Sequence, residues 1–232
     1  MTRRTAEPDG MFGRLQARLD VRLAAAGHRD VGVRVETAPE RWPGIACLGP
    51  VPARFVLRAR VGEAEGFCVS PLAVRYEGPL GDLARRPAEV PAERARLLAA
   101  INAYLAWRRE LVVAPRLCSV AGTAACAAQF AERYGPGGGP PCACLVGTHS
   151  CLYEALSTVR PLICLGERSA LTDLPEAVGR CRTVLVGAGG LVQGVWDRVG
   201  PRLAPGTRVV AYGVGIAGAA RLLGWEHHCP EA

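Results

Sequence analysis

The stretch CACLVGTHSC, residues 142–151, decides how the second half of this chain is read. Its three cysteines and one histidine admit two incompatible readings. One is a metal box closed by Cys142, Cys144, His149 and Cys151; the other is a buried strand that ends at Gly147 and runs through a short loop into a helix. On a strand, Cys142 and Cys144 share a face, as a pair of ligands would. An extended chain rises about 3.3 Å per residue, however, which leaves Cys144 roughly 16 Å from His149 and outside any shared coordination sphere. Cysteine is also among the most buried residue types and fills space as a small hydrophobe. The strand reading therefore prevails for Cys142 and Cys144.

Three further runs have the same form: PLICLG (161–166), TVLVG (183–187) and RVVAYG (208–213), each short, apolar and closed by glycine. Helical stretches such as CLYEALSTV (151–159) and LVQGVWDRVGPRL (191–203) lie between them. Continuous apolar strands alternating with helices imply a mainly parallel sheet covered on both faces, a Rossmann-like α/β domain. The GPGGGPP tract (135–141) reads as a turn into its first strand.

The first half has another rhythm. Phe12, Leu15, Leu19 and Leu23 keep helical spacing up to Gly27. The stretches VGVRVE (31–36), ARFVLRARV (53–61) and FCVSPLAVRY (67–76) alternate like antiparallel strands. A second helix is expected from about Pro91 to Arg109, with Leu97, Leu98, Ile101 and Leu105 on its inward stripe. The fold class is thus α/β, a Rossmann-like domain (113–232) preceded by a smaller α+β domain (1–112), with the break between 108 and 120.

The 232 residues carry a net charge of +7, which resembles a nucleic-acid signature until the basic residues are inspected. All 28 are arginine, they are dispersed, and no aromatic residues are interleaved as a stacking platform requires, so nucleic acid is not expected as a partner. The lack of lysine excludes a pyridoxal phosphate Schiff base and a Walker-type phosphate lysine. The amino terminus lacks the apolar core of a signal peptide, and no stretch has 18 uncharged apolar residues, so a cytoplasmic protein without a membrane partner is expected. Its ten cysteines are then expected to be reduced and mostly buried.

The segment GPLGDLARRPAEVPAERARLLAAINAYLA (78–106), with its Asn102-Ala103 pair, is followed by CLVGTHSCLYEAL (144–156), PLICLGERSALTDLPEA (161–177) and TVLVGAGGLVQGVWDRVGPRLAPGTRVVAYG (183–213). In order and spacing these resemble the heavy-metal chelation family, whose members join an enolase-amino-terminal-like domain to a Rossmann-like domain. Chelation is a proposal about those members, and no reaction follows from the resemblance. Two features depart from the family pattern: the cysteine richness, and GVGIAGAARLLGWEHHCPEA (213–232) where a Ser/Thr-Pro-rich loop and a longer tail are expected.

Ligands of open parallel sheets bind beyond the carboxyl ends of the strands, which places Gly147, Thr148 and His149 at a candidate crevice. Capping of the following helix by Thr148 or Ser150, with His149 in solvent, explains them equally well. Glu167 follows the second strand, where a carboxylate can hold a ribose or a metal; an exposed loop carboxylate would look the same. The missing G-x-G-x-x-G argues against ordinary NAD binding. Gly187, Gly189 and Gly213 permit close backbone approach to a ligand, and tight turns account for them as readily. Asn102 falls on or beside the buried face of its helix and needs partners, either in a network within the first domain or, as the resemblance implies, in the interdomain cleft. The terminal His227-His228-Cys229 reads as a frayed end.

Three functions follow as expectations. The first is handling of a small molecule or metal chelate in the interdomain cleft, in metal homeostasis or chelator metabolism, with His149 and Glu167 as ligands for substrate or a divalent transition metal. The second is an enzyme of specialised metabolism with His149 as the catalytic acid/base group. The third is a noncatalytic module that forms homo-oligomers. Fold alone does not choose among them.

Overall fold

The computed structural model describes residues 10–39, 55–111, 120–134, 143–147, 162–165, 178–179 and 181–229. Helix α1 (Gly10–Ala26) opens the chain. An antiparallel sheet follows, of β1 (Gly32–Thr37), β2 (Phe55–Val61), β3 (Ala64–Ser70) and β4 (Arg75–Pro79), in the order β3-β2-β1-β4. Helices α2 (Leu80–Arg85) and α3 (Pro91–Trp107) complete the first half. The second half comprises α4 (Val120–Tyr134), β5 (Ala143–Val146), β6 (Leu162–Leu165), β7 (Thr183–Gly187), α5 (Ala188–Val192), α6 (Val195–Val199), β8 (Arg208–Tyr212), α7 (Ala217–Leu223) and β9 (Glu226–His228). Its sheet runs β6-β5-β7-β8-β9, and every pairing is parallel. The mixed architecture expected from the change of rhythm is the one observed. The expected boundary at 112/113 falls outside the described residues.

Both faces of the parallel sheet are covered, which is why its strands are apolar without alternation. Cys144, Val146, Val184, Val186 and Ala211 face the main core, while Leu145, Leu185, Val210 and Tyr212 face Phe130 and Tyr134 of α4. Cys144 is fully buried, as the strand reading requires; Cys142 lies outside the described residues.

Helix α3 is where the halves meet. Pro91 supplies a preset first turn, and the Glu93 carboxylate accepts the Val90 N–H at 3.3 Å. At the other end the Arg109 backbone adopts φ +56°, and its neighbour Glu110 donates its N–H to Leu105 O at 2.9 Å, closing the helix in the manner usually given to glycine. In between, every residue from Leu97 to Leu105 is buried. The expected one-sided stripe is thus corrected: α3 packs on β2 and β3 on one side and on α5 and α7 on the other. A helix enclosed by two layers has no face left for polar residues. The approach is closest at Gly66 of β3, where an added Cβ would lie 2.5 Å from Ala99 O and 2.8 Å from the Asn102 carbonyl carbon. One hydrophobic core consequently runs through both halves.

Three other expectations are revised. FCVSPLAVRY is not one strand but β3 and β4, because Pro71 has no N–H for a ladder and Ser70 Oγ turns the chain by accepting the Leu72 N–H at 3.2 Å. Helices α2 and α4 were not anticipated. The terminal His227-His228-Cys229 is not frayed: β9 adds to β8 in parallel, with Tyr212 opposite His228, and Cys229 is buried. No helix among the described residues is long and apolar enough to cross a membrane.

Candidate functional site

In chain order the parallel sheet reads second-first-third-fourth-fifth strand, so the connections leaving β5 and β7 diverge between these two neighbours. The carboxyl ends of strands at such a reversal are the general ligand position of open α/β sheets, and they mark the candidate crevice. Gly147 ends β5 with φ +100°, and Gly187 ends β7 as the residue before α5. The two loops touch backbone to backbone. A Cβ on Gly147 would stand 2.8 Å from Gly190 N, and one on Gly190 would stand 2.6 Å from Val146 O. Both glycines are therefore required for α5 to seat against the end of β5. Gly187 is enclosed likewise, since a Cβ there would meet Tyr212 Oη at 2.6 Å. Gly189 is different: it is exposed, and a Cβ would meet nothing within 4 Å. Packing gives no reason for glycine at this position, which lies in the first turn of α5 beside the crevice.

Gly213 ends β8 with φ +81°. Its carbonyl accepts from His227 Nε2 at 3.0 Å and its N–H donates to His228 O at 3.3 Å, so it ties β8 to the edge strand. The structure thus brings Gly147, Gly187 and Gly189 together and sets Gly213 one strand away. Thr148, His149 and Glu167 lie outside the described residues.

Asn102 is fully buried, and its partners come from both halves of the chain. Its Nδ2 donates to Phe67 O at 2.9 Å in β3, and to Val214 O at 3.3 Å and Gly215 O at 3.1 Å in the single turn after β8. Its Oδ1 accepts the Gly218 N–H of α7 at 2.7 Å. The amide is saturated by backbone. It works as a clamp that holds the antiparallel half onto the loop beyond the carboxyl end of β8. The tight fit is marked by Gly218, where a Cβ would stand 2.7 Å from Asn102 Oδ1.

Thiol chemistry is muted in this region. Cys68, beside Gly215, is buried, and that burial pushes its thiol up to about 12, so it stays protonated and inert near neutral pH. Among the described residues no three His, Cys, Asp or Glu side chains come together in a way that could hold a metal ion. A metal reading therefore leans on His149 and Glu167.

One polar cluster escaped the sequence. On the edge strand the Glu226 carboxylate accepts from Arg208 Nε and Nη2, each at 2.8 Å, from Arg133 Nη2 at 3.1 Å and from the Tyr134 hydroxyl at 3.3 Å. Arg133 also faces His228 Nδ1 at 3.0 Å, with the His228 ring 4.5 Å from that of Phe130. Burial holds His227 below the usual histidine range, and burial together with the Arg133 charge does the same for His228. The only signal for this cluster was the polar triplet EHH, which has no strand character of its own.

No family model matches the sequence, and neither does any curated protein. Solved structures do. A protein of unknown function from the DUF364 family of Desulfitobacterium hafniense DCB-2 superposes with a TM-score of 0.53 at 18% identity, over 75% of this chain and 73% of that one. A second, also of unknown function and from the DUF364 family, comes from Pyrococcus horikoshii and superposes with a TM-score of 0.51 at 12% identity, over 89% and 80% of the two chains. At these identities the likeness carries the fold alone: this chain has the mixed α/β architecture of the DUF364-family structures, an antiparallel sheet followed by a parallel one.

Proposed function

We propose that this protein binds a small polar ligand, a metal chelate or a building block of a chelator, at the carboxyl ends of β5 and β7, and serves metal homeostasis or chelator metabolism in the cytoplasm. The supporting observation is the divergence of the chain at the β5/β7 boundary, where Gly189 keeps the backbone open without a packing reason. With the Asn102 amide occupied by backbone, this reading assigns the ligand to Thr148 and His149 after β5 and to Glu167 after β6. In this reading His149 and Glu167 hold the ligand's metal or its polar head, and Gly147, Gly187 and Gly189 shape the walls. The resemblance to the heavy-metal chelation family points the same way.

The test is native mass spectrometry with elemental analysis of protein purified under reducing conditions, alongside His149→Ala and Glu167→Gln. The reading expects a divalent transition metal at a stoichiometry near one, lost in His149→Ala, while the metal-free forms of variant and wild type melt at the same temperature. If titration of the apoprotein with nickel, cobalt, zinc and copper leaves no stoichiometric metal, or if both variants retain it fully, metal handling at this crevice is wrong.

A further inference from the structure

Edge strand β9 lines a cavity of about 440 Å3 that includes none of the glycines at the β5/β7 strand ends. Its walls come from the segment after α3, from α4 and from α7, with His227 and His228 of β9 between them. The volume lies within the usual range of small-molecule sites. Its charges decide what fits. Glu110 is already paired with Arg22 and with Arg108 Nε at 3.4 Å, and Arg133 is paired with Glu226 at 3.1 Å. Arg221 of α7 is exposed and has no ion-pair or hydrogen-bond partner among the described residues, whereas Arg133 shares the Glu226 carboxylate with Arg208. The His227 ring adds no charge, because burial keeps it neutral; with Nε2 donating to Gly213 O, its Nδ1 is left as an acceptor.

The remaining wall is mixed, with Gln129 and His228 polar and Leu111, Ala217 and Trp225 apolar. Trp225 is held in place against Trp196, ring centroids 4.7 Å apart, and Leu111 lies on the same cavity. A guanidinium without a partner among the described residues, beside an anchored indole, fits an organic anion with an apolar body, since the guanidinium takes the carboxylate and the indole covers the body, which inorganic phosphate lacks. We propose that this cavity is a binding site for a small apolar monocarboxylate, with its carboxylate on Arg221 and its body against Trp225.

The probes are benzoate, octanoate and indole-3-acetate, with inorganic phosphate and neutral benzamide as controls. Binding to the full chain is followed by the ring resonances of its four histidines. Expected is saturable binding of at least one carboxylate, with Kd on the order of 1 mM or tighter, that moves His227 and His228 but not His28. Arg221→Gln should weaken it at least about tenfold. Because Arg221 is exposed and unpartnered, that variant should keep the wild-type melting temperature. His149→Ala should bind the carboxylate as well as wild type does, which separates this site from the crevice. The proposal is overturned if no carboxylate saturates, if Arg221→Gln binds equally well, or if phosphate or benzamide binds as tightly as the best carboxylate.

Discussion

Replacing Asn102 by alanine tests the clamp between the halves most directly. The substitution strands the Gly218 N–H, which the side chain satisfies at 2.7 Å in a fully buried setting, and removes one donor from three carbonyls. An unsatisfied buried donor costs about 1–3 kcal/mol, each lost hydrogen bond contributes about 0.5–1.5 kcal/mol, and the missing amide leaves a small void. Asn102→Ala should therefore cost about 3–5 kcal/mol, a large share of the roughly 5–15 kcal/mol by which domains are usually stable. Asn102→Asp probes the polarity of the clamp, because its carboxylate would face three carbonyl oxygens in place of an N–H donor. Burial and those carbonyls raise its folded pKa above the unfolded value. The folded state then binds more protons than the unfolded state, and stability falls as pH rises. Urea denaturation followed by circular dichroism at pH 5 and pH 8 measures both variants. If Asn102→Ala lies within about 1 kcal/mol of wild type, or if Asn102→Asp is no more stable at pH 5 than at pH 8 relative to wild type, the clamp does not do what its geometry implies.

The glycines separate by the space around them: Gly66→Ala, driven into Ala99 O and the Asn102 backbone, should cost more than about 3 kcal/mol or abolish soluble protein, whereas Gly189→Ala should melt at or slightly above wild type. Arg109→Gly relieves a left-handed backbone at φ +56° and should gain about 0.5–1 kcal/mol by the same urea assay. Cys144→Ser should lose about 1–3 kcal/mol by placing a hydroxyl in the core, and neither Cys144 nor Cys68 should react with a thiol reagent until denaturant is added. Folding depresses His227 and His228, so the unfolded chain binds more protons between the folded values and the ordinary 6.5. Stability should be complete above pH 6.5 and fall as pH drops below it, and the slope of melting temperature against pH should flatten in His227→Gln and His228→Gln.

Much of the architecture could be read from the chain. Runs such as TVLVG and RVVAYG are apolar at every position, and only a strand buried on both faces needs that pattern. Helix α1 announced itself by Leu15, Leu19 and Leu23 and stopped at Gly27, as its local chemistry requires. The candidate site was legible only as positions at strand ends; which strand ends adjoin depended on strand order, and order is set by long-range pairing. Periodicity gave α3 one inward stripe because a sequence pattern reports what a helix can bury, not how many surfaces come to bury it. Strand β9 was missed for a related reason. Three polar residues have no strand tendency of their own, and they hold because β8 offered an open edge while Arg133, Tyr134 and Arg208 converged on Glu226. Asn102 shows the limit most plainly: its place on a helix, and its need for partners, followed from the sequence. Its partners lie 35 to 116 residues away, and only the packing of two sheets against one helix brings them to a single amide.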